Sequence, residues 1–201
     1  MAVSGNWPGW IRVASAFAVF TLVAQFWPGL SQLWRFSRQA FEGGAWWLLA
    51  TSQWVHLSGL HAVVNAAAMA LILLAFDHFV DWFTHAISML GGYAGVAIVV
   101  ALDPACQSYA GASGALHGFL AGSLVAVVAT RKGAIRVLAL GGVMALAIKL
   151  WVQHDSAHSF TGWLGFPTYY PAHEAGSLGG VVAIMLWSVW RRLSPAQRNT
   201  S

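Results

Sequence analysis

Charged residues are scarce in this chain: Asp, Glu, Lys and Arg make up 8% of its 201 residues, whereas 58% are hydrophobic. A soluble domain carries about 25% charged residues and covers its surface with them. This chain has too few charges to do so, and we therefore expect its surface to face lipid. The shortage of charge excludes an ordinary soluble domain.

Cysteine and basic runs are equally sparse. The single cysteine, Cys106, cannot form a disulfide within the chain and indicates little about the redox compartment. The net charge of +4 is modest and no basic run alternates with aromatic residues, so the sequence makes no case for nucleic-acid binding. Because no positively charged stretch precedes the first apolar run, that run is interpreted as a retained membrane span and not as a signal peptide.

Long apolar runs, by contrast, recur along the chain. A membrane-spanning helix needs about 20 mostly apolar residues, and six segments come near this length. The pattern predicts an all-α membrane protein, a six-helix transmembrane bundle, folded as a single domain over residues 1–201 because neither a repeat nor a linker is visible. The predicted spans are Trp10–Pro28, Leu57–Phe76, Phe79–Leu102, Ser113–Thr130, Gly133–Val152 and Tyr170–Trp190.

Two stretches between the spans have a different character. Residues 31–55 are too broken to span, and Trp46, Trp47 and Trp54 predict short helices that lie in the membrane interface. Residues 153–169 are polar and contain glycine, which predicts a loop that can move.

Orientation in the membrane follows from Lys and Arg, which collect on the cytoplasmic side. One basic cluster lies at the turn between the fourth and fifth spans, and another follows the sixth. With six spans both clusters fall on one side, which predicts cytoplasmic termini, although Arg35 and Arg38 in the first long loop count against it. The clusters are Arg131, Lys132 and Arg136, and Arg191, Arg192 and Arg198.

This orientation brings polar side chains together at the outer ends of three spans. Spans two, four and six all run inward, and each begins with strongly polar residues. Such residues are costly inside a membrane and usually face a cavity or a partner. We therefore expect them to converge at a similar depth. They are His56, His61 and Asn65 in span two, Ser113 and His117 in span four, and His173 in span six.

Ser113 lies among small residues at the start of the fourth span. A serine hydroxyl is a weak nucleophile unless a base removes its proton, and a helix start offers N–H groups that stabilise a developing oxyanion. Gly111 and Gly114 leave room for a substrate carbonyl to approach the backbone. Taken alone, the motif is more typical of a packing stripe formed by Ser113, Gly114, Gly118 and Gly122.

His173 is the candidate base. Gly176 and Gly180 follow it and would let span six pack closely on span four, as a serine–histidine hydrogen bond of about 2.6–3.2 Å requires. Adjacent residues of a helix point in different directions, so Glu174 should not orient His173 and a dyad without a carboxylate is expected. The alternative is a histidine bonded to a backbone carbonyl.

His61 and Asn65 lie four residues apart and share a helix face. Their side chains are suitable donors to a tetrahedral oxyanion, and His56 could lie at the entrance to the site. The alternative is a polar cluster that holds helices together.

Histidines also raise the question of a metal. His154 and His158, with Asp155 nearby, have a spacing that could bind one, although a solvated role is favoured and no metal site is assigned. A membrane haem or metal protein that uses His56, His61, His117 and His173 remains a rival interpretation.

With these residues in hand, the chain resembles the rhomboid family of intramembrane serine proteases. The matching motifs occur in the family's order on spans two, four and six, and the resemblance covers roughly residues 46–190. They are His56-Leu57-Ser58-Gly59-Leu60-His61-Ala62-Val63-Val64-Asn65, then Gly111-Ala112-Ser113-Gly114, then Ala172-His173-Glu174-Ala175-Gly176 with Gly180.

Within that family the chain is most similar to the rhombosortase subgroup. Typical rhomboids carry a tyrosine four residues after the nucleophile, and this chain has His117 there, as rhombosortases do. The resemblance implies that Ser113 is the nucleophile and His173 the general base. It also implies that His61, Asn65 and the Ser113 N–H form the oxyanion hole, and that His117 packs beside His173 with active-site support as its role.

The chain departs from the family in the first long loop. It has Trp47-Leu48 where the family has a Trp-Arg pair, and this change affects the expected packing of the loop and not the chemistry.

The subgroup also implies a substrate and a location. Its substrates are bacterial proteins with a C-terminal tail made of a Gly-Gly motif, one spanning helix and a basic end. A multi-pass protein of the bacterial inner membrane is implied, with a site open to the periplasmic side and no cofactor. From the sequence itself we expect the loop of residues 153–169 to be a lid, with Trp163 and Phe166 as its apolar closing surface. Transmembrane proteins and the lipid bilayer are the expected partners. A non-catalytic relative that only binds spanning helices is a further rival.

Overall fold

The chain is almost entirely helical along residues 9–155 and 168–193, which the computed structural model describes. Within those residues, six helices are long and apolar enough to cross a membrane, so the predicted six-span all-α architecture is confirmed. The elements in chain order are α1 (Gly9–Phe26), α2 (Leu30–Trp34), β1 (Phe36–Ser37), α3 (Arg38–Glu42), α4 (Leu48–Thr51), α5 (Gly59–Phe76), α6 (Trp82–Leu102), β2 (Ser108–Tyr109), α7 (Ser113–Thr130), α8 (Gly133–Asp155) and α9 (Pro171–Leu193).

One predicted boundary was wrong in a way that matters for the site. The fifth span was expected to end at Val152, but α8 continues to Asp155. Lys149 donates a hydrogen bond of 3.0 Å to the Oε1 atom of Gln153 one turn later, and such a pair supports a helix where sequence polarity suggests a loop. The remainder of the predicted loop, with Trp163 and Phe166, lies outside the described residues.

Side-chain caps explain where two of the spans begin. The hydroxyl of Ser58 accepts a hydrogen bond of 3.1 Å from the backbone N–H of His61 at the start of α5. The carboxylate of Asp81 accepts one of 3.0 Å from the N–H of Thr84 at the start of α6. Each cap provides an acceptor for a backbone N–H group that has no acceptor within the helix.

The described residues group into two compact units, and the single-domain organisation stays a prediction. The first unit contains residues 9–78 and 108–112. In it α1 packs against α5, and β1 pairs antiparallel with β2, with Phe36 opposite Tyr109. A small buried core of Ala24, Val55 and Ala110 lies in this unit.

Short helices fill the region between α1 and α5, as predicted. Trp46 and Trp47 are exposed. Their exposure is consistent with a position in the membrane interface, and that position stays a prediction. Trp54 does not share that exposure, because its ring packs at 5.8 Å from Phe17 and 5.1 Å from Phe20 of α1.

The second unit contains residues 79–107 and 113–193 of the described chain. Its helices α6, α7 and α9 pack so closely that backbones touch through glycines. A methyl group at Gly118 would overlap the carbonyl oxygen of Gly176, and one at Gly180 would overlap that of Gly118. Small residues at a crossing let two membrane helices approach in this way.

The other helix of this unit, α8, is held loosely. It buries a smaller share of its residues than the other five spans, and its buried side chains are Ala139 and Leu146. Most of its surface is therefore free to face lipid, which makes the polar contacts at its end informative.

Candidate active site

Ser113 and His173 meet in the second unit. Ser113 is the first residue of α7 and His173 the third residue of α9, and the distance between Ser113 Oγ and His173 Nε2 is 3.0 Å. His173 is 6% exposed. The distance lies within the range for proton transfer between a nucleophile and its base, and the glycine contacts between α7 and α9 bring the two side chains together.

The second nitrogen of His173 faces Gln153. His173 Nδ1 lies 3.2 Å from the amide oxygen of Gln153. An amide oxygen only accepts hydrogen bonds, so Nδ1 carries the proton and Nε2 offers its lone pair to the hydroxyl of Ser113. This tautomer is the one that a general base requires.

No carboxylate of α9 joins the pair, as the spacing predicted. The carboxylate of Glu174 lies 3.0 Å from Nδ1 of His154 instead. The neutral amide of Gln153 faces Nδ1 of His173, and the sequence interpretation had placed Gln153 in a loop.

His117 lies one turn after Ser113 on α7 and covers one face of His173. The two imidazole rings are stacked, with centroids 4.1 Å apart and planes inclined by 12°. Its Nδ1 donates a hydrogen bond of 2.7 Å to the carbonyl oxygen of Ser113, and its Nε2 lies 2.7 Å from Nζ of Lys149.

Lys149 and Gln153 are the site residues that sequence reasoning missed. One signal was available, because Lys149 is the only charged residue between Arg136 and Asp155 and an ionisable residue inside a span indicates a functional site by default. Gln153 follows it by four residues on the same helix face.

Two glycines occupy positions where a side chain would not fit. At Gly114 an added Cβ would lie 2.7 Å from the carbonyl oxygen of Ala172, so glycine permits α7 to approach α9. Gly111, in the first unit, has a φ of +133°, which side chains disfavour, and an added Cβ there would lie 2.7 Å from Cε1 of His61.

The remaining predicted residues belong to the first unit. His61 and Asn65 are both buried on α5. Among the described residues, the Nδ2 atom of Asn65 is a buried donor without a hydrogen-bond partner, an arrangement that suits a donor reserved for a substrate oxygen. The oxyanion roles of His61 and Asn65 stay predictions.

His56 is fully buried and does not lie at an entrance. Its ring meets the ring of His61 edge-on at 4.9 Å. Its Nε2 accepts a hydrogen bond of 3.4 Å from the N–H of Ala112, and its own N–H donates to Gln25 Oε1 at 3.0 Å. His56 thus contacts the backbone at Ala112 from within the unit.

The burial of His56 predicts a dependence of stability on pH. Burial, with the neighbouring imidazole of His61, lowers the pKa of His56 from 6.5 to about 3. As the pH falls, the unfolded chain therefore binds a proton at His56 before the folded protein does. The free energy of unfolding consequently decreases from about pH 6.5 towards pH 3. Between pH 7 and pH 5 the free energy of unfolding should drop by about 2 kcal/mol through this group.

Thermal unfolding in detergent at pH 7 and pH 5 measures this effect. The fall in Tm between the two pH values should be smaller in His56→Gln than in the unaltered protein. Equal falls in the two proteins would assign the pH dependence to other groups.

The described histidines do not form a cluster of the size that a metal site requires. Among the described residues, no three His, Cys, Asp or Glu side chains lie close enough together to hold a metal ion. His154 is paired with Glu174, and its predicted partner His158 lies outside the described residues.

The chain matches a known protein family. The family model described as Rhomboid domain matches residues 43–190, a range that includes every residue of the candidate site. Comparisons with curated proteins and with solved structures gave no match.

Proposed function

The chain belongs to the rhomboid family of multi-pass membrane proteins, and we propose that it is an intramembrane serine endopeptidase with Ser113 as nucleophile and His173 as general base. Members of this family are generally intramembrane serine proteases, with substrates in the lipid bilayer. The observation that carries the proposal is the 3.0 Å contact between Ser113 Oγ and His173 Nε2.

The reaction follows from the positions of the protons. Ser113 Oγ attacks the scissile carbonyl carbon while His173 Nε2 takes the hydroxyl proton, and the bond to Gln153 holds the imidazolium in place. His173 then gives this proton to the leaving amine, which departs with the C-terminal fragment. Water attacks the acyl group on Ser113, with His173 again as base, and releases the new C-terminus.

The developing oxyanion needs donors that are already oriented. The start of α7 supplies backbone N–H groups and the positive end of the helix dipole. We assign the additional donors to His61 and Asn65 on the basis of the family resemblance, and the buried Nδ2 atom of Asn65 supports this choice.

The substrate class is part of the proposal. His117 four residues after the nucleophile is the feature shared with rhombosortases, and it favours exported bacterial proteins that carry a C-terminal tail. Such a tail has a Gly-Gly motif, one spanning helix and a basic end. Glycine lowers the cost of unwinding a substrate helix before cleavage. We place the protein in the bacterial inner membrane, with both termini cytoplasmic and the site open to the periplasm.

Co-expression with a tailed reporter tests this proposal. Mass spectrometry should find a new C-terminus near the Gly-Gly motif when the protein is present, and the intact tail when it is absent. A serine-reactive fluorophosphonate should label Ser113 of the purified protein. Binding of the reporter without cleavage or labelling would instead show a non-catalytic member of the family, and a Soret band in the purified protein would show a haem protein.

A further inference from the structure

We propose that Lys149 and Gln153 are positioning residues that fix the proton of His173 on Nδ1 and so prepare its Nε2 to act as base. This inference rests on the proposed proteolytic function. It comes from a closed ring of hydrogen bonds in which α8 contributes two members. The five members are Ser113, His173, Gln153, Lys149 and His117.

The direction of every hydrogen bond in this ring follows from the groups themselves. The carbonyl oxygen of Ser113 can only accept, so His117 carries its proton on Nδ1, and its Nε2 must accept from Lys149. Lys149 Nζ also lies 3.0 Å from the amide of Gln153 and needs an acceptor there, which places the amide oxygen and not the NH₂ group on that side.

The oriented amide then determines the tautomer of His173. The same Gln153 oxygen that accepts from Lys149 faces His173 Nδ1 at 3.2 Å. Only an Nδ1–H can donate to it, and the lone pair of Nε2 is left for the hydroxyl of Ser113. Lys149 is therefore the double donor of the ring and Gln153 the double acceptor, and both imidazoles carry a proton on Nδ1.

The position of Lys149 favours this role over a simple surface charge. A lysine inside a membrane span is costly, and its long side chain usually extends to the membrane interface. Lys149 is an exposed residue, yet its ammonium donates to two side chains of the site. Because α8 has little buried surface of its own, these contacts are not a by-product of tight packing against the bundle.

The first test compares variants at Gln153 with the tailed reporter as substrate. Gln153→Met keeps the length of the side chain but removes the acceptor, and kcat should fall about 10²-fold with KM nearly unchanged, because the base loses its orientation. Gln153→Glu restores an acceptor and should return kcat to within about 5-fold of the unaltered enzyme. Lys149→Met should lower kcat about 10-fold, since the amide is then free to rotate.

His154→Leu is the matched control for these variants. It removes the neighbouring polar contact between α8 and α9, the one from His154 to Glu174, and should leave kcat unchanged. Unchanged kcat in Gln153→Met would overturn the inference. So would a Gln153→Glu protein that is folded and as slow as Gln153→Met.

A second measurement does not depend on activity. Imidazole ¹⁵N shifts of the histidine-labelled protein, assigned with a His173→Asn variant, report which ring nitrogen is protonated. We expect Nδ1–H for His173 in the unaltered protein and a mixture with Nε2–H in Gln153→Met. Nε2–H in the unaltered protein would refute the inference. An unaltered protein that has the Nδ1–H tautomer but neither cleaves nor takes the fluorophosphonate would refute the proposed function alone.

Discussion

Ser113→Ala abolishes cleavage of the tailed reporter and leaves the protein folded. Loss of a serine nucleophile lowers kcat by a factor on the order of 10⁶ in a well-studied soluble protease, so no new C-terminus should be detectable. Ser113 is half-buried at the first position of α7, and a smaller side chain there removes the contact to His173 without creating an overlap. Mass spectrometry of the reporter measures the loss, and circular dichroism measures the fold.

Ser123→Ala is the matched control on the same helix. Ser123 is another serine of α7, fully buried and ten residues after Ser113, and it has no place in the proposed reaction. Its replacement should leave cleavage unchanged. Retained cleavage in Ser113→Ala would refute the assignment of the nucleophile, and loss in both variants would indicate a general effect on α7.

Gly176→Ala should move apart the two helices that carry Ser113 and His173. An added methyl group would overlap the carbonyl oxygen of Gly114, and because that oxygen belongs to the backbone it cannot rotate away. The overlap should lower the free energy of unfolding by about 1–3 kcal/mol. It also displaces His173, three residues earlier on α9, and a displacement of 1 Å at a catalytic group can cost about 10²-fold in rate.

Gly141→Ala is the control, and we expect it to raise the free energy of unfolding. Gly141 lies within α8, and an added Cβ there meets no atom within 4 Å. Alanine should therefore stabilise the helix by about 0.5–1 kcal/mol. Thermal unfolding in detergent and the rate of fluorophosphonate labelling measure both variants. If Gly176→Ala unfolds and is labelled like Gly141→Ala, the glycine contact does not position the dyad.

Much of the architecture could be predicted from composition and hydrophobic length. Six apolar runs of spanning length predicted six helices, and the fourth began at the expected residue, Ser113. The predicted loop between α8 and α9 was too long. Its first residues were assigned to a loop because they are polar, and polarity alone does not show that Lys149 and Gln153 form a hydrogen bond along a helix.

The candidate site could also be predicted only in part. Serine and histidine motifs at the starts of separate spans were visible in the sequence, because polar residues are rare enough in a membrane chain to stand out. The sequence also indicated that no carboxylate of α9 would serve His173, since neighbouring residues on a helix diverge.

Residue identity and spacing thus decided which helices form and which residues are chemically able to react. Tertiary structure alone decided that Ser113 Oγ and His173 Nε2 lie 3.0 Å apart, and that an amide on α8 accepts the other imidazole proton. The reason is physical: spans are set by local hydrophobicity along one segment, whereas a hydrogen bond depends on the distance and angle between side chains that the packing of different helices brings together.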